Sequence, residues 1–106
     1  MNGIETPATL RDVNHARHLY TIWVESRRRD ATLLALQKKG IGAAVNYRAV
    51  HLLDFYKKAF GYEKGSFPIA ERIGDRTITL PLHPSLPDEK VERVIKTVRE
   101  VVTELI

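Results

Sequence analysis

Between Val91 and Leu105, apolar residues recur at three- and four-residue spacing: Val91, Val94, Ile95, Val98, Val101, Val102 and Leu105, with Glu, Lys and Arg between them. That period draws one apolar stripe along a helix. Such a helix takes its stability from tertiary packing, so the stripe has to lie against another apolar surface. The closing helix therefore restricts the chain to folds that offer a partner layer. Ser85 to Asp88 supplies capping and acidic first-turn chemistry at its start.

The partner layer is read from His18-Leu19-Tyr20-Thr21-Ile22-Trp23-Val24, rich in β-branched and aromatic types, which predicts a largely buried strand. Ser26 to Arg29 turns the chain. A helix is expected from about Arg28 to Lys39, with Leu33, Leu34 and Leu36 on one side and Gly40 as its stop. A second strand is expected from Ile41 to Val45, small-sided and so open to close approach of another backbone. The next helix, from about Leu52 to Phe60, places Leu52, Phe55, Tyr56 and Phe60 on adjoining turns, and Gly61 ends it. Pro68 opens a short helix through about Ile73, which Gly74-Asp75 breaks. Arg76 to Leu80 reads as a third strand, closed by Pro81 and Pro84.

The order is strand, helix, strand, helix, short helix, strand, helix. Helices apolar on one side need a sheet to cover, so the expected fold is α/β. It would be a two-layer sandwich in which helices cover a small three-stranded sheet. A helix joining the first two strands implies a right-handed crossover. Residues 1–14 lack periodicity and are expected to be a flexible lead-in to one domain over residues 15–106. There is no internal repeat.

Composition narrows the function classes. With 106 residues, 43% hydrophobic and 28% charged, the chain reads as a single soluble globular domain. Without cysteine it has neither a disulfide framework nor a thiolate metal site. No run approaches the roughly 20 apolar residues of a membrane helix, so no membrane role is expected and a cytoplasmic location is the default. The net charge of +4 is spread along the chain, with only Arg27-Arg28-Arg29 clustered. A nucleic-acid binder would show a basic stripe interleaved with aromatics, so a solvated basic surface is favoured.

Chemistry-bearing residues are few. His15, His18, His51 and His83 include no pair at metal-ligand spacing with a nearby carboxylate, so no metal is expected. No serine or threonine sits in a nucleophile-elbow context. Gly40-Ile41-Gly42 closes a helix rather than opening one, so it cradles no phosphate. Arg27 to Arg29 could meet phosphate, but a solvated turn is the simpler reading. What remains is Asn46, Tyr47, Arg48 and His51, in the turn after the second strand. Side chains beyond a strand end can face a cleft and bind a substrate. An ordinary polar loop, with Tyr47 packed on a helix, is the competing reading.

Several short pieces occur in order: Arg29-Asp30, Gly40-Ile41-Gly42, Val45-Asn46-Tyr47-Arg48-Ala49-Val50-His51, Phe60-Gly61-Tyr62 and Phe67-Pro68. Ala70-Glu71-Arg72, Thr79-Leu80-Pro81-Leu82-His83-Pro84 and Pro87-Asp88-Glu89 follow, the last with Val91 behind it. Together, from about His15 onward, they resemble the C-terminal small domain of the DegT/DnrJ/StrS-type nucleotide-sugar aminotransferases. Those enzymes depend on pyridoxal phosphate (PLP) and share the aspartate aminotransferase fold. In that family the turn often reads His-Tyr-Pro-x-x-His. Here Tyr47 and His51 match, Asn46 replaces the first histidine, and Arg48 and Ala49 stand where prolines are common.

The resemblance implies that this turn borders the interdomain cleft that admits the sugar. Tyr47 and His51 would then be substrate-binding residues, with Asn46 a third. It also implies a Schiff-base lysine, a phosphate cup and a ring-stacking residue on a large N-terminal domain that these residues do not include. The chain alone is accordingly expected to have no catalytic residue, no bound PLP and no transaminase activity. Its expected partners are that large domain, a nucleotide-sugar substrate and, in the full-length form, a second copy in a homodimer. Polysaccharide or nucleotide-sugar biosynthesis would be the setting, with glutamate as amino donor. The alternative is a free-standing, non-catalytic α/β binding or interaction module.

Overall fold

The computed structural model describes all 106 residues. Two strands and four helices form it: β1 (Tyr20–Trp23), α1 (Ser26–Lys38), α2 (Asp54–Phe60), α3 (Pro68–Arg76), β2 (Thr77–Leu80) and α4 (Asp88–Leu105). A single 3-10 turn at Val50–Leu52 precedes α2. No helix is long and apolar enough to cross a membrane.

β1 and β2 pair antiparallel, with Tyr20 opposite Leu80, Ile22 opposite Ile78 and Trp23 opposite Thr77. Ile22, Ile78 and Leu80 meet Leu36 of α1 and Val98, Val101 and Val102 of α4 in one core cluster. All four residues of β2 are buried. The mixed α/β class expected from the sequence is therefore observed, with α1 and α4 supplying helical residues to the core.

The middle strand expected over Ile41–Val45 is reduced to one bridge, Ala44 to Thr79, so the sheet has two strands rather than three. Local bonding explains the loss. The Ala43 amide turns back to the Ile41 carbonyl at 2.8 Å, and the Gln37 side chain donates to the Ala43 carbonyl at 2.9 Å. That turn bends the chain at Gly42, and the ladder cannot run past Ala44 in either direction: Pro81, opposite Gly42, has no amide, and the Thr77 amide, opposite Asn46, donates to the Ile73 carbonyl. Ile41 and Ala43 still bury their side chains in the core. The crossover inferred for the first two strands falls away with the strand.

Gly40 ends α1 as its position predicts. At φ +81 it sits in the left-handed region, its amide reaching the Gln37 carbonyl at 2.9 Å and that of Ile41 reaching Leu36 at 3.0 Å. These are the two bonds of a Schellman motif. α3 departs from expectation. It continues through Gly74-Asp75 to Arg76, with Pro68 in its first turn. Gly74 does not break this helix but lets another segment approach it.

Apolar coverage is uneven. Val98, Val101 and Val102 of α4 are buried, but Val91 and Ile95 on the same stripe are exposed. They line an open groove of about 330 Å³ with Tyr20, Leu80, Leu82 and Leu86. Leu34 of α1 is exposed beside buried Leu36, and α2 buries no residue at all. Within the segment expected to be a lead-in, Glu5 pairs with Trp23 through bonds of 2.9 and 2.8 Å. Its carboxylate also takes a two-pronged contact from the Arg76 guanidinium, at 2.8 and 3.2 Å.

Candidate functional site

The segment from Ala44 to Leu53 runs along the outer edge of β2 and onto α3. Ala44 fixes its start by exchanging two backbone bonds with Thr79, at 3.1 and 2.7 Å. The Thr79 hydroxyl then donates to the Asn46 carbonyl at 3.4 Å. The Asn46–Tyr47 peptide bond is cis. The 3-10 turn closes through the amides of Leu52 and Leu53, which donate to Ala49 and Val50 at 3.0 and 3.1 Å.

The three residues singled out in the sequence do not converge. Tyr47 is 64% exposed and stands at the surface. Asn46 is half-buried, its carbonyl tied to Thr79. His51 is buried at 7% exposure and points the other way, into an aromatic nest. Its ring lies edge-on to Phe67 at 4.9 Å and to Tyr62 at 6.3 Å between centroids. Tyr47 is thus open to solvent. His51 is placed to hold the turn.

The partner that His51 finds inside is Glu71, which the sequence offered only as part of a family pattern. Their closest atoms, Nε2 and Oε2, are 3.2 Å apart, and both side chains are buried. The approach lies off the line of a hydrogen bond, which leaves Nε2 without an aligned partner. The carboxylate's directed bonds come from the chain ahead of α3. The Gly65 amide donates to both oxygens at 2.8 and 2.9 Å, and the Phe67 amide donates to one at 3.2 Å. The Gly65 amide holds the Glu71 carboxyl below the usual glutamate range, against the upward push of burial; His51 and the Phe67 amide add to the lowering. A Glu four residues into a helix, reaching back to the residue before its first turn, is close to a capping box, and Phe67-Pro68 followed by Glu71 was its sequence signal.

One turn further along α3, the Arg48–Ala49 backbone rests on Gly74. The Gly74 carbonyl accepts from the Arg29 guanidinium at 2.9 Å. Arg29 is buried, with Asp30 at 2.6 Å on its Nε. The sequence grouped Arg29 with Arg27 and Arg28 as a possible phosphate contact. The fold spends Arg29 on a carbonyl in the last turn of α3, and Arg27 and Arg28 both pair with Glu25.

The residues present do not fit PLP. A Schiff base needs a lysine amine in a sheltered pocket that depresses its pKa. Lys38, Lys39, Lys57, Lys58, Lys64, Lys90 and Lys96 all lie exposed on the surface. What the chain offers is a presented phenol on a firmly seated turn, together with uncovered apolar surface. Val50 and Leu53, a few residues on, are exposed, as are Phe55 and Phe60 of α2.

The comparisons with known proteins agree with the sequence resemblance. Residues 1–99 match the model of the DegT/DnrJ/EryC1/StrS aminotransferase family. The spore coat polysaccharide biosynthesis protein SpsC of Bacillus subtilis is 38% identical over 94% of this chain and 27% of its own length. The putative sugar aminotransferase Spr1654 from Streptococcus pneumoniae, in its PMP form, superposes with a TM-score of 0.89 at 33% identity, over 98% of this chain and 27% of that one. S. venezuelae DesV, in complex with a ketimine intermediate, gives 0.85 at 35% identity, over 94% and 26%. The chain therefore spans about a quarter of the length of the relatives it matches.

Proposed function

The chain belongs to the DegT/DnrJ/EryC1/StrS aminotransferase family, and from that premise we propose that it is the C-terminal small domain of a PLP-dependent sugar aminotransferase. It covers the substrate cleft and supplies no reactive lysine. The large domain of the same enzyme carries PLP, the substrate is a nucleotide sugar, and the full-length form is a homodimer. Residues 15–106 make up the covering lobe, and glutamate is the amino donor.

The observation that carries the reading is that 98% of the chain superposes on 27% of the putative sugar aminotransferase Spr1654 while its own lysines all stand in solvent. The uncovered face supports it. α2 is seven residues long and buries none of them, and a helix that short draws its stability from something packed against it. Tyr47 stands in solvent and is the substrate contact, with Asn46 its neighbour in the turn. His51 serves the same turn from beneath.

The test is a chimaera of Spr1654 in which this chain replaces the aligned region. It should bind PLP and interconvert its PLP and PMP forms with glutamate, and Tyr47→Phe should depress amino transfer to the sugar without harming the fold. A well-folded chimaera indifferent to Tyr47→Phe would remove the turn from the site. Purified alone and mixed with PLP, the chain should show no lysine-linked absorbance band; such a band would overturn the division of labour. A free-standing binding module draws on the self-contained core and would be favoured by a chain that binds a metabolite unaided.

A further inference from the structure

We propose that Glu71 is a positioning residue for the 46–52 turn: its carboxylate clamps the His51 imidazole and the loop ahead of α3 together, so that Asn46 and Tyr47 are presented at one fixed place. The proposal rests on the reading of that turn as substrate-facing, and it deepens that reading.

Burying a carboxylate is costly unless its oxygens are satisfied. Glu71 has no lysine or arginine for a partner; its one side-chain contact of this kind is His51. Its remaining bonds are to the Gly65 and Phe67 amides, and neither oxygen reaches the core cluster. The group joins three stretches of chain, the turn, the loop and α3, without contributing to the apolar core. A helix cap alone would need only the Phe67 amide. The contact with His51 goes beyond that need. His51 Nε2 stands 3.2 Å from the carboxylate, a close polar contact between two buried side chains.

Glu71 and Gly74 are one helical turn apart and so share a face of α3. The turn is seated on both: His51 on Glu71, and the Arg48–Ala49 backbone on Gly74. Close packing at Gly74 sets the distance. The His51 ring, held at Glu71 and edge-on to Phe67 and Tyr62, sets the orientation. Tyr47 lies just before these two anchors in the chain and needs no partner of its own to be held in place.

The test is nuclear magnetic resonance on the 106-residue chain and its Glu71→Gln variant. In the variant the Gly65 and Phe67 amide protons should lose their carboxylate shift. The Leu52 and Leu53 amides should exchange about tenfold faster, and the Tyr47 signals should move, while Leu36, Ile78 and Val101 stay as they were. If only Gly65 and Phe67 respond, Glu71 is a helix cap and the proposal fails. Should the variant not fold, acid titration of the native chain replaces it. His51 faces the carboxylate from the turn, whereas the loop faces it with amides alone. The Gly65 and Tyr47 signals should then move with one midpoint, and separate midpoints would overturn the clamp. Tyr47→Phe in the chimaera judges the cleft independently. A loosened turn in Glu71→Gln, alongside unchanged turnover in that chimaera, would keep the clamp and discard the cleft.

Discussion

Gly74 lies so close beneath Ala49 that a methyl group on it would stand 2.6 Å from the Ala49 amide nitrogen. The obstacle is backbone, so no side-chain rotation relieves it. Alanine normally gains roughly 1 kcal/mol over glycine inside a helix. Here that gain is set against displacement of the whole turn, and overpacking of this kind costs about 1–3 kcal/mol. Gly74→Ala should therefore lower stability despite its better helix propensity, and urea unfolding checks it. A stabilised variant would mean that the turn does not rest on α3.

The same carbonyl region gives a second expectation. Arg29 is 4% exposed and donates to the Gly74 carbonyl. Arg29→Ala removes that donor and opens a void, at a cost of about 2–3 kcal/mol for a buried acceptor left unpaired. Arg29→Lys should recover only part, since one ammonium cannot serve Asp30 and Gly74 with the fork geometry of a guanidinium. Denaturant melts of the three proteins should rank Arg, then Lys, then Ala. Equal stability of Lys and Arg would show that the fork geometry is idle.

How far the sequence carried can be judged from these residues. Gly40 was legible because a glycine after an amphipathic run has one common use, and the Schellman bonds are there. Gly74 was misread as a helix breaker because its reason lies in the Arg48–Ala49 segment, distant in sequence. The strand over Ile41–Val45 failed for a similar cause: the residues that would extend its ladder, Thr77 and Pro81, have no free amide to give, and no periodicity within 41–45 records that. The sequence leaves Tyr47 either facing a cleft or packed on a helix, and in the fold it is 64% exposed. His51 has the same polar character in sequence, yet it is buried because Glu71 waits inside. The buried half of the site depended on that one distant pairing.

Acid sensitivity follows from Glu71. Its carboxyl titrates below the usual glutamate range in the folded chain, chiefly through the Gly65 amide. A depressed folded-state pKa gives stability that is fully present above the unfolded value and is lost as pH falls through the folded one. The native chain should therefore weaken as pH falls from the ordinary glutamate value toward the lower folded one. Glu71→Gln should be weaker at neutral pH and show a shallower acid limb. Chemical denaturation at a series of pH values reads both. Parallel limbs for the two proteins would mean that the carboxylate gains nothing from the folded loop.

α4 offers a contrast within one helix. Val98 is 6% exposed and Ile95 is 38% exposed, though both belong to the apolar stripe. An aspartate at position 98 would sit unpaired among Val101, Val102 and Leu36 of the core cluster. That costs about 3–5 kcal/mol or more for an uncompensated buried charge, as much as the whole stability of a domain at the low end of the usual range of about 5–15 kcal/mol. At position 95 the charge would reach solvent through the groove beside Tyr20 and Leu82, and the change should stay within about 1 kcal/mol. Circular dichroism melts should therefore show Val98→Asp unfolded and Ile95→Asp close to the parent. If both variants unfold, the stripe is covered along its full length and the groove is filled in solution. If neither does, the packing of α4 onto the sheet is wrong, and with it the layer that the closing helix demands.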